Sequence, residues 1–449
     1  MSDSGALNFR KGCTIQPEYS QKEKYMINKW QYGEIFLIKF AAFTLALHII
    51  HGAFLQYLVG IWFDAILISC TGVILLFSLF RRAKIVINKG LIGWICMGLI
   101  ATLSLTLYEY KNLITVLTFV FFIFVMLFSE NQPKFIDYFL KYAVWMALIS
   151  AISALVFYIY PSLYTLIFSI YGGFVANTDG GNFGYRAGIT PHTSWQGIIC
   201  SIGVLYDGCI LIIDRKEMSK KTKILRMIRI VIFFSALLLS AKRGPTVFVI
   251  MSLLFIYVFI SRSRIGWKIL LFLSGGIILY FSYEYMIAVI PGLEYMISRF
   301  IRTKDISSYR FQMWKLALEE FRNHSLFGIG WLQYRYIFSK RLFAHLNFRN
   351  NFLYTDAHNV YIQILCETGL VGFCIYMTTI IMTFFKSLRQ VQYLVKENNA
   401  KYQKETIMAC FGIQLFFLIY SLSGNPLYDL TFSFYAVSCG MAYYIGEIK

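Results

Sequence analysis

Charge is scarce in this chain. Only 14% of its 449 residues are Asp, Glu, Lys or Arg, where a soluble domain carries about a quarter. With 58% of residues hydrophobic, a soluble fold of this size could not hide its apolar surface. Other absences narrow the choice. There is no P-loop, which excludes an ATP site of that kind. No histidine spacing reads as a metal site, and no metal or other cofactor is expected. The nine cysteines include no CxxC pair, so they read as packed thiols rather than a disulfide framework. No nucleic-acid-binding module accompanies the net charge of +19, and nucleic acid is rejected as a partner. Internal repeats, heptads and low-complexity tracts are missing as well, leaving one domain, 1–449, as the economical description.

What is present is a series of long apolar runs separated by short basic stretches, the pattern of a polytopic α-helical membrane protein. About twelve spans are expected, at 32–50, 57–80, 91–108, 113–128, 142–160, 194–213, 230–241, 246–261, 267–290, 359–385, 407–423 and 430–446. The span at 230–241 is short and is expected to begin near Leu225, with Arg226 and Arg229 snorkelling to the membrane surface. Lys39 can snorkel as well, while Asp64, Asp207 and Glu284 either make contacts between helices or line a cavity. The tail 1–31 is polar or mixed and leaves no room for a signal peptide. Lys and Arg gather in alternate gaps, from Lys11–Lys29 through Arg81–Lys89 and Arg215–Lys223 to Lys386–Lys404. The positive-inside rule makes that face, and both termini, cytoplasmic.

Two outer loops are long, 161–193 and 291–357. The second holds ten Lys and Arg against five Asp and Glu. Long loops cross regardless of charge, so the topology stands, and an anionic ligand outside the membrane is the simplest cause of the excess. In the turn Ser240-Ala241-Lys242-Arg243-Gly244-Pro245, Gly244 is expected to permit the bend and Pro245 to open the next helix. Arg243 then lies at a helix N-terminus, where free N–H groups favour an anion; an arginine snorkelling to headgroups is the alternative. From Ser307 to Phe321 an amphipathic surface helix is expected, with Phe311, Trp314, Leu318 and Phe321 on its apolar face and Arg310 in its first turn. His358, just before the next span, reads as a general base, a phosphate ligand or a histidine bonded to backbone. Glu367 falls half a turn out of phase with it and about 13 Å deeper along a regular helix, as a buried structural acceptor would. Arg186 reads equally as a third phosphate ligand or a loop-ordering residue.

The order and spacing of these pieces resemble the O-antigen ligase and polymerase superfamily of bacterial membrane glycosyltransferases. The resemblance runs over 184–375: Arg186-x-Gly188 with Pro191, Ser240-x-x-Arg243-Gly244, Arg310-x-x-x-Trp314, Gly328-x-Gly330-Trp331, His358-Asn359 and Glu367-x-Gly369-x-x-Gly372. Lys242 stands where that family usually carries a small hydroxyl residue, and His192 where Asn is common. The sequence also lacks the Asp-x-Asp motif that holds metal and nucleotide-sugar. Unlike many multi-span glycosyltransferases, it has no acid in the first outer loop, His51 to Tyr57.

The resemblance implies a GT-C-like, all-α enzyme of the bacterial cytoplasmic membrane with its active site on the extracytoplasmic side. It implies transfer of a glycan from undecaprenyl pyrophosphate to an acceptor hydroxyl. The acceptor is a second lipid-linked repeat unit in a polymerase of O-antigen, capsule or exopolysaccharide, or the lipid A core in a ligase. Arg243, Arg310 and His358 are the implied catalytic set. Arg186, Lys242, Trp314 and Asn359 are expected to contact pyrophosphate or glycan. Lipid-linked oligosaccharide, acceptor glycan, membrane lipid and a chain-length regulator protein are the expected partners. A transporter or flippase is the reading from another class; repeated halves or helices broken at mid-membrane would favour it.

Overall fold

Backbone inside lipid has no water to bond to, so apolar runs must satisfy their own polar groups as helices. The computed structural model describes residues 21–81, 85–107, 113–170, 184–214, 218–261, 266, 310–344, 356–396 and 401–442, and every regular element among them is helical. The chain order is α1 (Gln21–Val59), α2 (Ile61–Phe80), α3 (Lys89–Leu107), α4 (Leu113–Asn131), α5 (Pro133–Ile159) and α6 (Pro161–Ile170). A 3₁₀ turn at Gly184–Ala187 leads into α7 (Thr193–Asp214), α8 (Lys220–Leu239) and α9 (Arg243–Phe259). The remainder are α10 (Arg310–Asn323), α11 (Gln333–Ala344), α12 (Val360–Lys396), α13 (Lys401–Tyr420) and α14 (Thr431–Ala442).

Among the described residues, six helices are long and apolar enough to cross a membrane: α1, α3, α4, α5, α7 and α12. They answer to the expected spans 32–50, 91–108, 113–128, 142–160, 194–213 and 359–385. The apolar stretches of α2 and α9 are shorter, Ala65–Phe80 and Arg243–Phe259. The expected spans 230–241, 407–423 and 430–446 fall on α8, α13 and α14, and the span 267–290 lies outside the described residues. Several helices outrun their apolar runs, because polar residues at a helix end cost little beyond the bilayer. α5 starts at Pro133, whose ring suits the first helical position, and α1 starts at Gln21, inside the expected tail. The two segments expected as outer loops are partly helical too: α6 occupies the start of the first, and α10 and α11 lie in the second.

Large apolar side chains face outward, as lipid contact requires: Trp62 is 79%, Phe80 82% and Ile114 79% exposed. Inside, α3, α4, α12, α13 and α14 meet in an aromatic cluster. Trp94 packs edge-on to Tyr376 at 5.8 Å, and Phe417 stacks on Tyr435 at 4.0 Å.

Arg226 and Arg229 correct one expectation. They do not snorkel. Arg226 Nη1 donates to Asp207 Oδ1 at 2.9 Å and Nη2 to Glu405 Oε2 at 2.8 Å, while Arg229 Nε donates to Asp207 Oδ2 at 2.8 Å. The buried Asp207 carboxylate demands partners, so the two arginines turn inward and tie α7, α8 and α13 together. Asp207 is thereby a contact between helices, one of its two sequence readings. Lys39 lies over the Tyr138 ring, 5.2 Å from its centroid.

Candidate functional site

The helix α12 is broken. Gly369 has φ 63° and ψ −166°, which interrupts the helical ladder. The freed groups are bonded by residues 325–330. Ile329 N donates to Cys366 O at 3.1 Å and Gly330 N to Glu367 O at 2.9 Å. Leu370 N donates to Ser325 O at 2.8 Å and Val371 N to Leu326 O at 3.2 Å. Both motif glycines are needed for this approach. A Cβ on Gly369 would collide with the Leu326 carbonyl, and one on Gly328 with the Glu367 carbonyl. The Gly328-x-Gly330 and Glu367-x-Gly369 motifs are therefore two halves of one clasp.

The clasp braces a polar network. Arg335 grips Asp356 with both Nε and Nη2, the latter at 2.8 Å. Gln363 Nε2 lies 3.0 Å from both Asp356 Oδ1 and Glu367 Oε1. Tyr428 donates its hydroxyl to Glu367 Oε2 at 2.9 Å. Glu367 is fully buried and acts as an acceptor, joined to the His358 segment through Gln363 rather than directly.

Around His358 the chain is held from several sides. Asn425 Nδ2 lies 3.3 Å from His358 Nδ1 and from Asp356 Oδ2. Trp314 Nε1 donates to Ala357 O at 2.8 Å. Asn359 Oδ1 accepts from Ile362 N at 3.1 Å, capping α12, and its Nδ2 donates to Leu422 O at 3.1 Å. The polar atoms of Trp314 and Asn359 thus hold the His358 segment in place. Arg310, the first residue of α10, donates to Ser423 Oγ. Burial and then the Arg310 charge hold the His358 imidazole below its ordinary pKa of 6.5, against an opposing pull from Asp356.

The Ser240–Pro245 turn reaches the same end of the bundle. Lys242 occupies the N-cap position of α9 without a side-chain capping bond, and Arg243 is the first residue of that helix. The bend falls on Ala241, with φ 56°, rather than on Gly244 as expected. Gly244 is helical, and a Cβ there would lie 3.5 Å from Phe248 and Tyr420. Tyr420 ends α13 and leads directly into Ser421–Asn425, the segment that meets Arg310, Asn359 and His358. On its other side the turn packs on Gly197 of α7, where a Cβ would lie 3.3 Å from Lys242 Cβ. Arg186 is buried in the 3₁₀ turn, which packs on α5 and α7. The N-terminal end of α7 therefore carries the Arg186 loop and the Arg243 turn on a common support.

The three non-glycine residues with positive φ among those described are Ala241, Leu332 and His358. All three fall in these segments. Backbone strain of this kind persists only where surroundings enforce it, and it gathers at functional sites.

The expected apolar face of α10 divides in two. Trp314, Met313 and Ala317 pack inward, whereas Phe311 and Leu318 are exposed. Glu320, on the same helix, is buried and paired with Arg341. A helix that both docks on α12 and faces outward needs two apolar stripes. Residues 291–309 and 345–355 of the same loop lie outside the described residues.

Sequence reasoning missed Arg335, Gln363, Ser423, Asn425 and Tyr428. The one available signal was the polar turn Ser421-Leu-Ser-Gly-Asn-Pro426 between two apolar runs. A cavity of about 300 Å³ also opens beside Trp331, Tyr428 and Asp429; none of Arg243, Arg310 and His358 lines it. Among the described residues, no three His, Cys, Asp or Glu side chains are grouped as metal ligands would be.

No curated protein matches the chain. Residues 228–377, the stretch holding Arg243, Arg310, His358 and Glu367 but not Arg186, match the family model described as O-antigen ligase, and the match bears out the resemblance to the O-antigen ligase and polymerase superfamily.

Proposed function

We propose that this protein polymerises a bacterial surface polysaccharide (O-antigen, capsule or exopolysaccharide). It transfers a glycan from undecaprenyl pyrophosphate to a hydroxyl of another lipid-linked repeat unit, on the outer side of a cytoplasmic membrane that it crosses about twelve times in a GT-C-like arrangement. The observation that carries the reading is the gathering of Arg243, Arg310 and His358 about the Tyr420–Asn425 segment, each arginine in the first turn of a helix. Helix N-termini and guanidinium groups suit an anion, and the leaving group of this reaction is a pyrophosphate whose charge grows in the transition state. Arg186 and Lys242 add positive charge to the same end. His358, kept neutral by its surroundings, accepts the proton of the attacking hydroxyl. Trp314 and Asn359 hold that histidine in register. Glu367 serves as a structural acceptor behind it. The apolar outer surface and the surface face of α10, with Phe311 and Leu318, meet the polyprenyl carrier and membrane lipid. A chain-length regulator is the partner such a polymerase would work with.

The ligase reading differs only in acceptor, and the matched family's description favours it. The carrier reading has one observation on its side, the broken helix α12. Yet the freed backbone groups of Cys366, Glu367, Leu370 and Val371 are bonded by residues 325–330, which leaves them engaged rather than open to a solute. Purified protein given an undecaprenyl-pyrophosphate-linked repeat unit, with and without lipid A core, separates the three. Lengthening chains without added acceptor mark the polymerase, and one transfer to lipid A core marks the ligase. Lipid movement across vesicles without any transfer would overturn the enzyme reading.

A further inference from the structure

The cavity of about 300 Å³ is lined by His48 and Thr115 from α1 and α4, Trp195 from α7, Trp331, and Tyr428 and Asp429 from the turn before α14. Its size is at the lower end of small-ligand sites, about 300–1,000 Å³. Its chemistry is mixed. The walls are mostly apolar, both aliphatic and aromatic, yet an imidazole, several hydroxyls and a carboxyl reach them. A bare isoprenoid tail would need none of those groups, and burying a carboxyl without a purpose is costly. A sugar ring has both requirements: C–H faces that stack on indoles and hydroxyls that need hydrogen-bonding partners.

Position points the same way. The segment 421–430 serves both places, with Ser423 and Asn425 contacting Arg310 and His358 while Tyr428 and Asp429 face the cavity. Tyr428 is fixed by its bond to Glu367 and by its packing on Trp331 at 5.7 Å. Asp429 is fixed by the Thr431 N–H, which donates to Oδ1 at 2.8 Å. Trp195, Tyr428 and Asp429 lie outside the matched stretch 228–377, and Trp331 lies within it. We propose that this cavity binds a sugar ring of the acceptor glycan, with Trp195 and Trp331 as stacking platforms and Asp429 as the partner of its hydroxyls; this rests on the transferase reading above. Burial pushes the Asp429 carboxyl up to about 7, so near neutrality it both donates and accepts.

Full-length protein in nanodiscs is titrated with two probes: the repeat-unit oligosaccharide released from its lipid, and undecaprenyl pyrophosphate without sugar. Asp429→Asn and Trp195→Ala should each weaken oligosaccharide binding about tenfold and leave undecaprenyl pyrophosphate binding unchanged, which also reports an intact fold. Arg310→Ala should show the opposite pattern. Unchanged oligosaccharide binding in both cavity variants, or none by the wild type, would overturn the proposal. So would Thr115→Trp, which fills the cavity, if it abolished undecaprenyl pyrophosphate binding and spared the oligosaccharide; the cavity would then hold the isoprenoid. Variants that lose the oligosaccharide in a protein that transfers no glycan leave the sugar site standing and remove the transferase reading. Normal binding by the variants in a protein that does transfer glycan does the reverse.

Discussion

His358 stands in the left-handed region with φ 53°, a conformation that costs a non-glycine residue about 1–2 kcal/mol. Asn425 holds its ring and Trp314 the carbonyl just before it, so the strain is enforced from outside the helix it precedes. Burial and the Arg310 charge keep its pKa under 6.5. A base with a lowered pKa stays neutral further into acid, and activity falls only as pH drops through that lower value. The acid limb of log kcat/KM should therefore lie below pH 6.5 and should move upward in Arg310→Gln; a limb above 6.5 in the wild type would contradict this assignment. Arg243→Ala and Arg310→Ala should each reduce kcat by about a hundredfold or more, with normal membrane insertion measured by fractionation. Glu367→Gln should act differently. Both its oxygens accept, from Gln363 and Tyr428, and an amide nitrogen cannot accept. One bond is lost, so thermal stability should fall while kcat of the folded protein is retained; a stable but inactive variant would give Glu367 a part in the chemistry. At this scale the sequence was half legible. Arg243, Arg310 and His358 stand out because charged or titratable groups sit beside apolar runs. Ser423 and Asn425 do not, since their partners lie more than 60 positions away and small polar residues in a turn carry no mark of a distant contact.

Among the elements, the clasp between residues 325–330 and the break in α12 is the unit most exposed to a single change. Gly369→Ala forces a Cβ against the Leu326 carbonyl at a positive φ, and Gly328→Ala does the equivalent against Glu367. Strain of this type alone costs about 1–3 kcal/mol. Each variant should lower the melting temperature in detergent, and the double variant should fall by less than their sum because both break one contact. Strict additivity would mean that the two glycines act independently. The motif spacing was visible in the sequence, but its meaning was not. Glycines 41 positions apart (369 − 328) signal tight backbone without naming what approaches. The division of α10 into an inward and an outward apolar stripe was hidden for a related reason: periodicity identifies an amphipathic face, and a helix with both a packed and an exposed apolar face has two.

Across the whole molecule, the two ends of the bundle do different work. The Arg226, Arg229, Asp207 and Glu405 network binds α7, α8 and α13 at the end away from His358. Asp207→Ala would take the carboxylate from Arg229 and leave Arg226 with Glu405 alone, a loss of about 3–5 kcal/mol for a broken buried pair, visible as reduced folded yield; yield equal to wild type would show the network to be dispensable. Hydropathy made the helical membrane architecture legible, because segmentation into apolar runs is a direct consequence of lipid. It could not reveal inward-turning arginines, since a basic residue near a span end reads alike whether it faces headgroups or a buried carboxylate. The central claim concerns the other end, where Arg243, Arg310 and His358 converge. Its most direct test is the purified protein with an undecaprenyl-pyrophosphate-linked repeat unit as sole substrate, products resolved by size. A ladder of lengthening chains from the wild type, absent in Arg310→Ala and His358→Ala, is the predicted result. An undiminished ladder from both variants, or no transfer by the wild type to either repeat unit or lipid A core, would contradict it.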